Sequence, residues 1–261
     1  MKYRKPYRIK RKKSILKNRF FWLGILILIF WGTIIYFLFF SKFFQIKEIR
    51  ISGNLRVSDE EIKNKIGENL ESKIFFLPTK SIFLLDSKKI KEEILKQFPQ
   101  IFDLKINRQF PQTLNINLIE RKEVAIFCFE KECFLLDGEG IIFQKSELGE
   151  SLVKISEGQI EKIPELGERV IEKDYLDDIL KIQKYVQEEL KIEIEGFTVF
   201  ERRLDLKTKE GWEIYFDPRE DINWQLTKLS AVLKEKIPSE RRKDLEYIEL
   251  RFGDLATFRY R

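Results

Sequence analysis

The sequence contains no histidine, and its 261 residues include only two cysteines, seven prolines and twelve glycines. Without histidine the chain cannot build a His-dependent catalytic triad, a His-ligated metal site or an imidazole acid–base pair. Two cysteines without histidine or further cysteine partners cannot complete a zinc site. Glycine and proline are sparse and no low-complexity tract occurs, which together indicate compact folding.

Motifs of nucleotide-binding enzymes and glycosidases are also missing or weak. No Walker A sequence occurs, and Gly138-Glu139-Gly140 lacks the third glycine and the following helix of a dinucleotide-binding loop. The acid pairs Glu92-Glu93, Asp177-Asp178 and Glu188-Glu189 have lysine neighbours on predicted helices, which favours a solvated face over a catalytic carboxylate pair. We therefore predict a non-enzymatic protein with no cofactor, no metal site and no small-molecule substrate.

One long apolar run is present, because the 21 residues from Phe20 to Phe40 carry no charge. As a helix this run would rise about 31 Å, which matches the roughly 30 Å hydrocarbon core of a bilayer. A cleaved signal peptide has a shorter apolar stretch that ends in small residues, whereas Ser41-Lys42-Phe43-Phe44 follows here. We predict one uncleaved spanning helix. Its aromatic residues include Phe20, Trp22, Trp31, Tyr36 and Phe40, and the rings near its two ends suit the membrane interface.

The 19 residues that precede the run contain ten Lys or Arg and no acid. By the positive-inside bias this tail is predicted to be cytoplasmic, and residues 41–261 extracytoplasmic. Because the net charge is +6 and the tail supplies +10, the remainder carries −4. A basic tail can bind nucleic acid, but the mildly acidic remainder favours contact with anionic lipid instead. We predict the lipid bilayer as a partner and no nucleic acid.

The two cysteines, Cys128 and Cys133, leave two alternatives open. If Glu130-Lys131 is a two-residue turn, Cys128 faces Cys133 at a closely spaced, non-hydrogen-bonded position of a hairpin, where a disulfide could form on an oxidising side of the membrane. Glu-Lys lacks the Asn-Gly chemistry that such a turn prefers, so two separate core thiols are an equal alternative.

Residues 44–121 have the pattern of a small domain of order β-α-α-β-β. A strand at 44–51 precedes a helix near 59–66, which Ser58 and Glu61 mark with a capping box. A second helix starts after Asp86 and stops at Pro99, and two alternating strands follow at 101–107 and 113–121. The apolar segment 69–80 could pack under this core or form an exposed contact patch, and packing is the commoner fate.

Several short motifs lie in and after this segment. They are Ile82-Phe83-Leu84-Leu85-Asp86, Phe98-Pro99-Gln100-Ile101, residues 106–114, Glu120-Arg121-Lys122-Glu123-Val124-Ala125, residues 135–143 and Ile163-Pro164-Glu165-Leu166. The β-α-α-β-β order just beyond a single span resembles a POTRA domain, and these motifs resemble the FtsQ/DivIB family of bacterial cell-division proteins. The family usually has proline before the Val-Ala step, where Glu123 stands here. In this resemblance Arg108, Phe110 and Pro111 shape the turn between the last two strands of the domain, and Glu120-Arg121 marks the start of the next domain.

Residues 122–261 are predicted to form a mixed β-sheet domain with two long helices, one at 174–190 and one that starts with Asp217 as its N-cap, Pro218 at N1 and Glu220 at N3. The fold as a whole is therefore predicted to be a single-pass membrane protein with an α+β extracytoplasmic region. Predicted strands lie at 124–129, 133–136, 141–144, 197–200, 204–207, 212–216, 247–252 and 257–260.

The end of this predicted sheet is a candidate binding site, because an open edge can accept a strand from another chain. The resemblance implies a divisome scaffold at the division septum, whose partners are FtsB and FtsL homologues and other divisome proteins, with FtsB adding a strand near the C-terminal end. Ile248, Leu250 and Phe252 would then face the core on the alternate side of their strand. Candidate partner-binding residues, carried over by position, are Tyr247, Glu249, Arg251, Phe252, Phe258, Arg259 and Tyr260.

A second function class is a POTRA-containing accessory factor that binds polypeptides during envelope protein assembly or secretion. Such factors pair their POTRA domains with a β-barrel, and residues 122–261 are too short and too helical to form one. The alternative therefore survives only as an accessory polypeptide-binding role.

Overall fold

The computed structural model describes residues 19–70, 72–74, 77–146, 152–158 and 163–261. These residues divide into two compact units. The first contains the described residues up to Ser52 together with 59–91 and 105–117, and the second contains 53–58, 92–104 and 118–261. The predicted cytoplasmic tail lies outside the described residues except for Arg19, as do residues 71, 75 and 76 of the predicted apolar segment.

The chain begins its described part with one long apolar helix, α1 (Arg19–Phe40), of 22 residues. Its mean hydropathy reaches 2.5 over the most apolar window, and none of that window is buried inside the protein. Within the described residues, α1 is the one helix that is long and apolar enough to cross a membrane. It is compatible with a single membrane span.

The segment 44–121 contains a three-stranded sheet, two helices and a short hairpin. Strand β1 runs parallel to β5, with Ile49 opposite Leu114 and Ile51 opposite Ile116, and β4 lies on the other side of β5. In chain order the elements are β1 (Glu48–Ser52), α2 (Asp59–Asn69), β2 (Ser72–Ile74), β3 (Leu77–Thr79), α3 (Ser87–Gln97), β4 (Ile101–Gln109) and β5 (Thr113–Glu120).

Local sequence signals account for much of this segment. The carboxylate of Asp86 accepts hydrogen bonds from the backbone N–H groups of Lys88 and Lys89, both at 3.1 Å, and so caps α3. The hairpin β2–β3 was not predicted from the sequence, because segment 69–80 was interpreted as an apolar loop. Short strands of three residues carry too little alternation to be recognised without their partner.

The second unit is built on a nine-stranded sheet of order β14-β13-β12-β11-β10-β9-β6-β7-β8. A short 3₁₀ helix, Ser239–Asp244, leads into β13. The strands are β6 (Glu123–Phe129), β7 (Glu132–Asp137), β8 (Ile142–Lys145), β9 (Lys154–Glu157), β10 (Ile194–Phe200), β11 (Arg203–Thr208), β12 (Glu213–Phe216), β13 (Leu245–Glu249) and β14 (Thr257–Tyr260), and the helices are α4 (Lys173–Glu188) and α5 (Ile222–Glu235).

One face of this sheet forms the core with the apolar stripes of α4 and α5. Successive strand residues point to opposite faces, so alternate side chains of each strand enter this core. On α4 the buried residues recur at helical spacing, which is the pattern of a helix packed on a sheet. Buried strand residues of this inner face include Phe127, Ile155, Phe197, Leu206, Ile214 and Ile248.

Helix α5 begins four residues later than the sequence suggested. Asp221, and not Asp217, is its N-cap, and the Asp221 side chain accepts a hydrogen bond from the backbone N–H of Asn223 at 2.8 Å. Asp217 instead accepts from the backbone N–H of Arg219 at 3.0 Å and pairs with the Arg219 guanidinium. That ion pair lowers the pKa of Asp217. The Pro218 motif therefore forms a separate turn before the helix.

Cys128 and Cys133 lie opposite each other in the β6–β7 hairpin and are joined by a disulfide, with their Cα atoms 4.1 Å apart. Phe129 and Glu132 form the last strand pair before the turn. Glu130 in that turn has a φ of 51°, the left-handed conformation that a tight hairpin requires. Of the two alternatives left open by the sequence, the structure has the disulfide.

Candidate partner-binding edge

Strand β14 is the last strand of the nine-stranded sheet. It runs antiparallel to β13, with Ile248 opposite Phe258 and Tyr247 opposite Arg259. Among the described residues, β14 has a hydrogen-bonded strand on that side only. Its other side presents backbone donors and acceptors that a strand from another chain can pair with.

The outer face of the sheet beside this edge carries a stacked pair of tyrosines. Tyr215 of β12 and Tyr247 of β13 have ring centroids 5.4 Å apart in a stacked arrangement. The Tyr215 hydroxyl donates a hydrogen bond to Glu213 at 2.7 Å. Burial and this hydrogen bond to a carboxylate raise the pKa of Tyr215, so the hydroxyl stays protonated and acts as a donor.

Two arginines lie close to the Tyr215 ring. The Arg203 guanidinium carbon is 4.6 Å from the centroid of the Phe200 ring and 5.1 Å from that of Tyr215. The corresponding atom of Arg251 is 5.9 Å from the Tyr215 centroid and 5.5 Å from the Phe252 centroid. Stacking on aromatic faces holds planar guanidinium groups in place while their N–H donors remain available. Arginine and aromatic side chains are also the types most enriched in binding hot spots.

A buried carboxylate lies within ion-pair distance of each arginine. Glu249 is only 7% exposed and its two oxygens accept hydrogen bonds from Arg251 at 2.8 and 2.6 Å. This bidentate contact raises the pKa of Arg251. Asp205 lies 2.8 Å from the Arg203 Nε atom. Its pKa is raised to about 6, because the burial of its carboxyl outweighs the attraction of Arg203.

A buried lysine holds the loop between β13 and β14. Lys228 of α5 is 7% exposed, and its Nζ atom donates to the carbonyl oxygens of Leu250 and Gly253 at 2.6 Å each and of Leu255 at 3.3 Å. Desolvation lowers the pKa of Lys228. The indole N–H of Trp224 also donates to Asp254 at 3.1 Å. Through these bonds, helix α5 fixes the loop that leads into β14 and so helps to position this strand.

The chain has a recognisable domain in its first part. The family model described as "POTRA domain, FtsQ-type" matches residues 44–121. The chain therefore contains an FtsQ-type POTRA domain. Two curated relatives, both named cell division protein FtsQ, come from Rickettsia typhi and Rickettsia prowazekii, and each is 28% identical over 102 residues. The aligned part covers 39% of this chain and 35% of each relative, so the chain matches about a third of their length.

Together these matches support the FtsQ/DivIB family that the motifs predicted. The FtsQ-type motif Glu120-Arg121 has a clear structural basis in the second unit. The Glu120 carboxylate accepts hydrogen bonds from the backbone N–H groups of Leu55, Arg56 and Val57, and the shortest of these bonds is 2.7 Å. Arg121 donates to the Pro99 carbonyl oxygen at 3.0 Å and pairs with the buried carboxylate of Asp137.

The structure divides the predicted partner-binding residues into two groups. Tyr247, Arg251 and Arg259 belong to the outer face or edge, and Glu249 lies on the same face but is buried beneath Arg251. Phe258 and Tyr260 are half-buried against the core, because the antiparallel register places them opposite Ile248 and Leu245. Their part in partner binding stays a prediction.

Phe252 also differs from expectation. The alternation of β13 was extended to residue 252, which would turn Phe252 towards the core, yet its side chain is 60% exposed. The strand ends at Glu249, so Phe252 belongs to the loop and strand alternation no longer applies to it.

Sequence reasoning missed Arg203, Tyr215 and Lys228. The first two are recognisable only once β11, β12 and β13 are known to be neighbours. Lys228 carries a weak signal, because Gln225 and Lys228 form a polar i, i+3 pair beside the apolar stripe of α5 and both are buried. In the described part of the chain, no group of three or more His, Cys, Asp or Glu side chains could hold a metal ion.

Proposed function

We propose that this protein is a non-enzymatic, membrane-anchored scaffold of the FtsQ/DivIB type that recruits single-pass division proteins, the FtsB and FtsL homologues, to the septum. The single observation that carries the proposal is the open edge of β14 next to an outer face rich in arginine and aromatic side chains. The helix α1 supplies the anchor, with the basic tail cytoplasmic and the two folded domains, 44–121 and 122–261, on the opposite side of the membrane.

The chemistry of the site defines the segment that would bind. An extended segment can add to β14 through its backbone, which supplies affinity without requiring a particular sequence. Side chains of that segment on the outer face would meet Tyr215, Tyr247 and the two stacked arginines. Guanidinium groups bind carboxylates with paired hydrogen bonds, so an acidic residue next to the added strand is expected in the partner.

The proposal is tested by substituting Tyr247 with lysine in the full chain and measuring co-purification with the FtsB homologue of the same genome. Tyr247→Lys breaks the stack with Tyr215 and introduces a cation on this face, so we expect recovery to fall by about tenfold or more, as for a central aromatic contact. The matched control is Thr227→Lys, which adds the same charge at an exposed position of α5. Equal recovery with both folded variants would contradict binding at this face.

Localisation supplies a separate test of the cellular role. A fluorescent fusion of the full chain is expected to accumulate at midcell, whereas a polypeptide-binding accessory factor of the envelope would give a uniform signal. The Tyr247→Lys variant separates partner binding from membrane anchoring. It is expected to remain in the membrane but to co-purify with less of the FtsB homologue. A uniform signal from the unmodified protein would contradict a division scaffold.

A further inference from the structure

A line of aromatic rings leads from the end of α1 across the first unit. Phe37 in the last turns of the helix contacts Phe44 at a centroid distance of 5.7 Å. Phe44 contacts Phe83 at 5.1 Å, and Phe83 contacts Phe110 at 5.3 Å. Phe43 joins the line through an edge contact to Phe44 at 5.0 Å. We call Phe43, Phe44, Phe83 and Phe110 the aromatic strip.

Much of this strip lies at the protein surface. Phe43 and Phe110 are each 55% exposed and Phe83 is 37% exposed, although all three are large apolar side chains. Single exposed apolar residues are common, but a contiguous row that continues an apolar helix marks an interaction surface. Because the row starts at Phe37 of α1, it is continuous with the surface that a spanning helix presents to lipid.

The strip cannot swing freely relative to the helix, because polar side chains of the first unit hold the last helical carbonyls. Gln45 Nε2 donates to the Phe39 oxygen and Ser81 Oγ to the Leu38 oxygen, each at 3.1 Å, and the Thr79 hydroxyl donates to the Phe39 oxygen as well. These bonds satisfy carbonyls that a helix C-terminus leaves without partners. Backbone pairing of Ile82 with Phe44 at 3.0 Å then ties the strip to the same joint.

A cation adjoins the strip. Lys42 directly precedes Phe43, and its side chain is exposed. Aromatic rings combined with Lys or Arg are the residue types that settle at the headgroup level of a bilayer, with the rings near the acyl boundary and the cations near phosphate. The occupant that fits this surface is therefore the lipid of the leaflet where α1 ends.

We propose that the aromatic strip is a second membrane contact, through which the POTRA domain rests on the bilayer surface beside its own spanning helix. The proposal is independent of the partner edge on β14, and it requires only that α1 spans the membrane. It predicts that the domain is held at the lipid surface instead of projecting freely from it. The contact would bury the exposed parts of Phe83 and Phe110 in the interfacial region.

The test measures the depth of a reporter next to the strip in the full chain reconstituted into liposomes. Gln109→Cys, exposed and adjacent to Phe110, is labelled with an environment-sensitive fluorophore while Cys128 and Cys133 remain joined. Lipids with a spin label near the headgroup are expected to quench this fluorophore at least about twofold more than one at Asn64→Cys on α2, since only the former neighbours the strip. Equal quenching at the two positions would overturn the proposal.

A second comparison removes the strip itself. The double substitution Phe83→Ser with Phe110→Ser is expected to reduce quenching at position 109 to the level of position 64, because two serines cannot enter the interface. The matched control is Phe102→Ser, an exposed phenylalanine (48%) outside the strip. Quenching of Trp22 and Trp31 by deep spin labels reports separately whether α1 spans the bilayer. Persistent quenching at position 109 in the double variant would contradict a contact made by these rings.

Discussion

The two edge strands of the nine-stranded sheet differ in whether another segment of the chain lies along their outer side. At the β8 end, residues 167–170 lie along the outer strand, with Gly167 N donating to Ile142 O at 2.7 Å and Ile142 N donating to Glu168 O at 3.1 Å. Val170 N also donates to Gly140 O at 2.9 Å. At the β14 end, no other strand in the described residues pairs with the outer side. One edge is covered by the chain itself and the other is left open.

In the described residues, the sheet therefore leaves its β14 edge open to pairing while the β8 edge is covered. An uncovered strand is a general aggregation hazard, and proteins usually shield such strands or place charges on them. Here the open strand carries Arg259, which is 3.0 Å from Glu246, while its inner residues stay packed. A charged open edge resists indiscriminate pairing yet remains available to a partner of matching sequence. Three predictions test this contrast, from the largest expected effect to the smallest.

The covered edge depends on Gly140, and its substitution should have the largest effect. Gly140 has a φ of +76°, and an added Cβ would lie 1.8 Å from the carbonyl oxygen of Ile171. Gly140→Ala would therefore force the covering segment away and is expected to lower the free energy of unfolding by about 3 kcal/mol. Urea denaturation of the full chain in detergent measures the loss.

The neighbouring Gly138 provides the matched control for this substitution. A Cβ at Gly138 meets no heavy atom within 4 Å, and its φ lies outside the left-handed region. Gly138→Ala should therefore change stability by no more than a few tenths of a kcal/mol. Similar losses in both variants would show that Gly140 does not hold the edge closed.

The open edge depends on the buried cation of Lys228. Lys228→Met leaves the carbonyls of Leu250 and Gly253 without their donor in a buried place, which should cost about 2 kcal/mol. Because the loop would loosen, backbone amides of Thr257–Tyr260 should exchange with deuterium faster, while those of Ile142–Lys145 at the covered edge stay unchanged. Hydrogen exchange monitored by mass spectrometry distinguishes the two edges.

Lys234→Met controls for the loss of a lysine from the same helix, since Lys234 is exposed. It should leave exchange unchanged at both ends of the sheet. Unaltered exchange of β14 in Lys228→Met would mean that the loop is held without this cation.

The smallest expected effect is the pH dependence of stability that arises from Asp205, on the outer face beside the open edge. The pKa of Asp205 is about 6 against an ordinary value of 3.8, because burial disfavours its charged form. The folded state therefore binds this proton more tightly than the unfolded state, and the resulting stability is lost as the pH rises through about 6. From pH 7 to pH 5 this group should add about 1 kcal/mol to the free energy of unfolding.

Asp205→Asn should remove this contribution, so the difference in unfolding free energy between pH 5 and pH 7 should shrink in the variant. Denaturation at the two pH values in both proteins measures it. Asp177→Asn, at an exposed acid of α4, should behave like the unmodified protein. An undiminished pH difference in Asp205→Asn would place the titration elsewhere.

Sequence patterns anticipated the features that depend on nearby residues. The cap at Asp86 is set by residues next to it, and the facing of Cys128 and Cys133 follows from the length of one turn. The core side of β13 also followed from alternation, since Ile248 and Leu250 are buried. Each of these depends on contacts made within a few residues along the chain.

Features that depend on distant parts of the chain were not accessible in this way. Strand β9 is only four residues long, and it is stabilised by parallel pairing with β6 on one side and β10 on the other. The outward group Arg203, Tyr215 and Tyr247 comes from three strands that are neighbours only in the folded sheet. The faces of Phe258 and Tyr260 depend on a register that one residue of slip would reverse.

The bonded joint at the end of α1 has a mechanical consequence. A flexible linker would let the rest of the first unit tumble, whereas capping of Leu38 and Phe39 by Ser81, Thr79 and Gln45 ties the helix to it. Rotation or tilt of α1 is then transmitted as torque to the part of the first unit that follows the helix. A protein that packs against α1 within the bilayer could thereby reorient that part without contacting it.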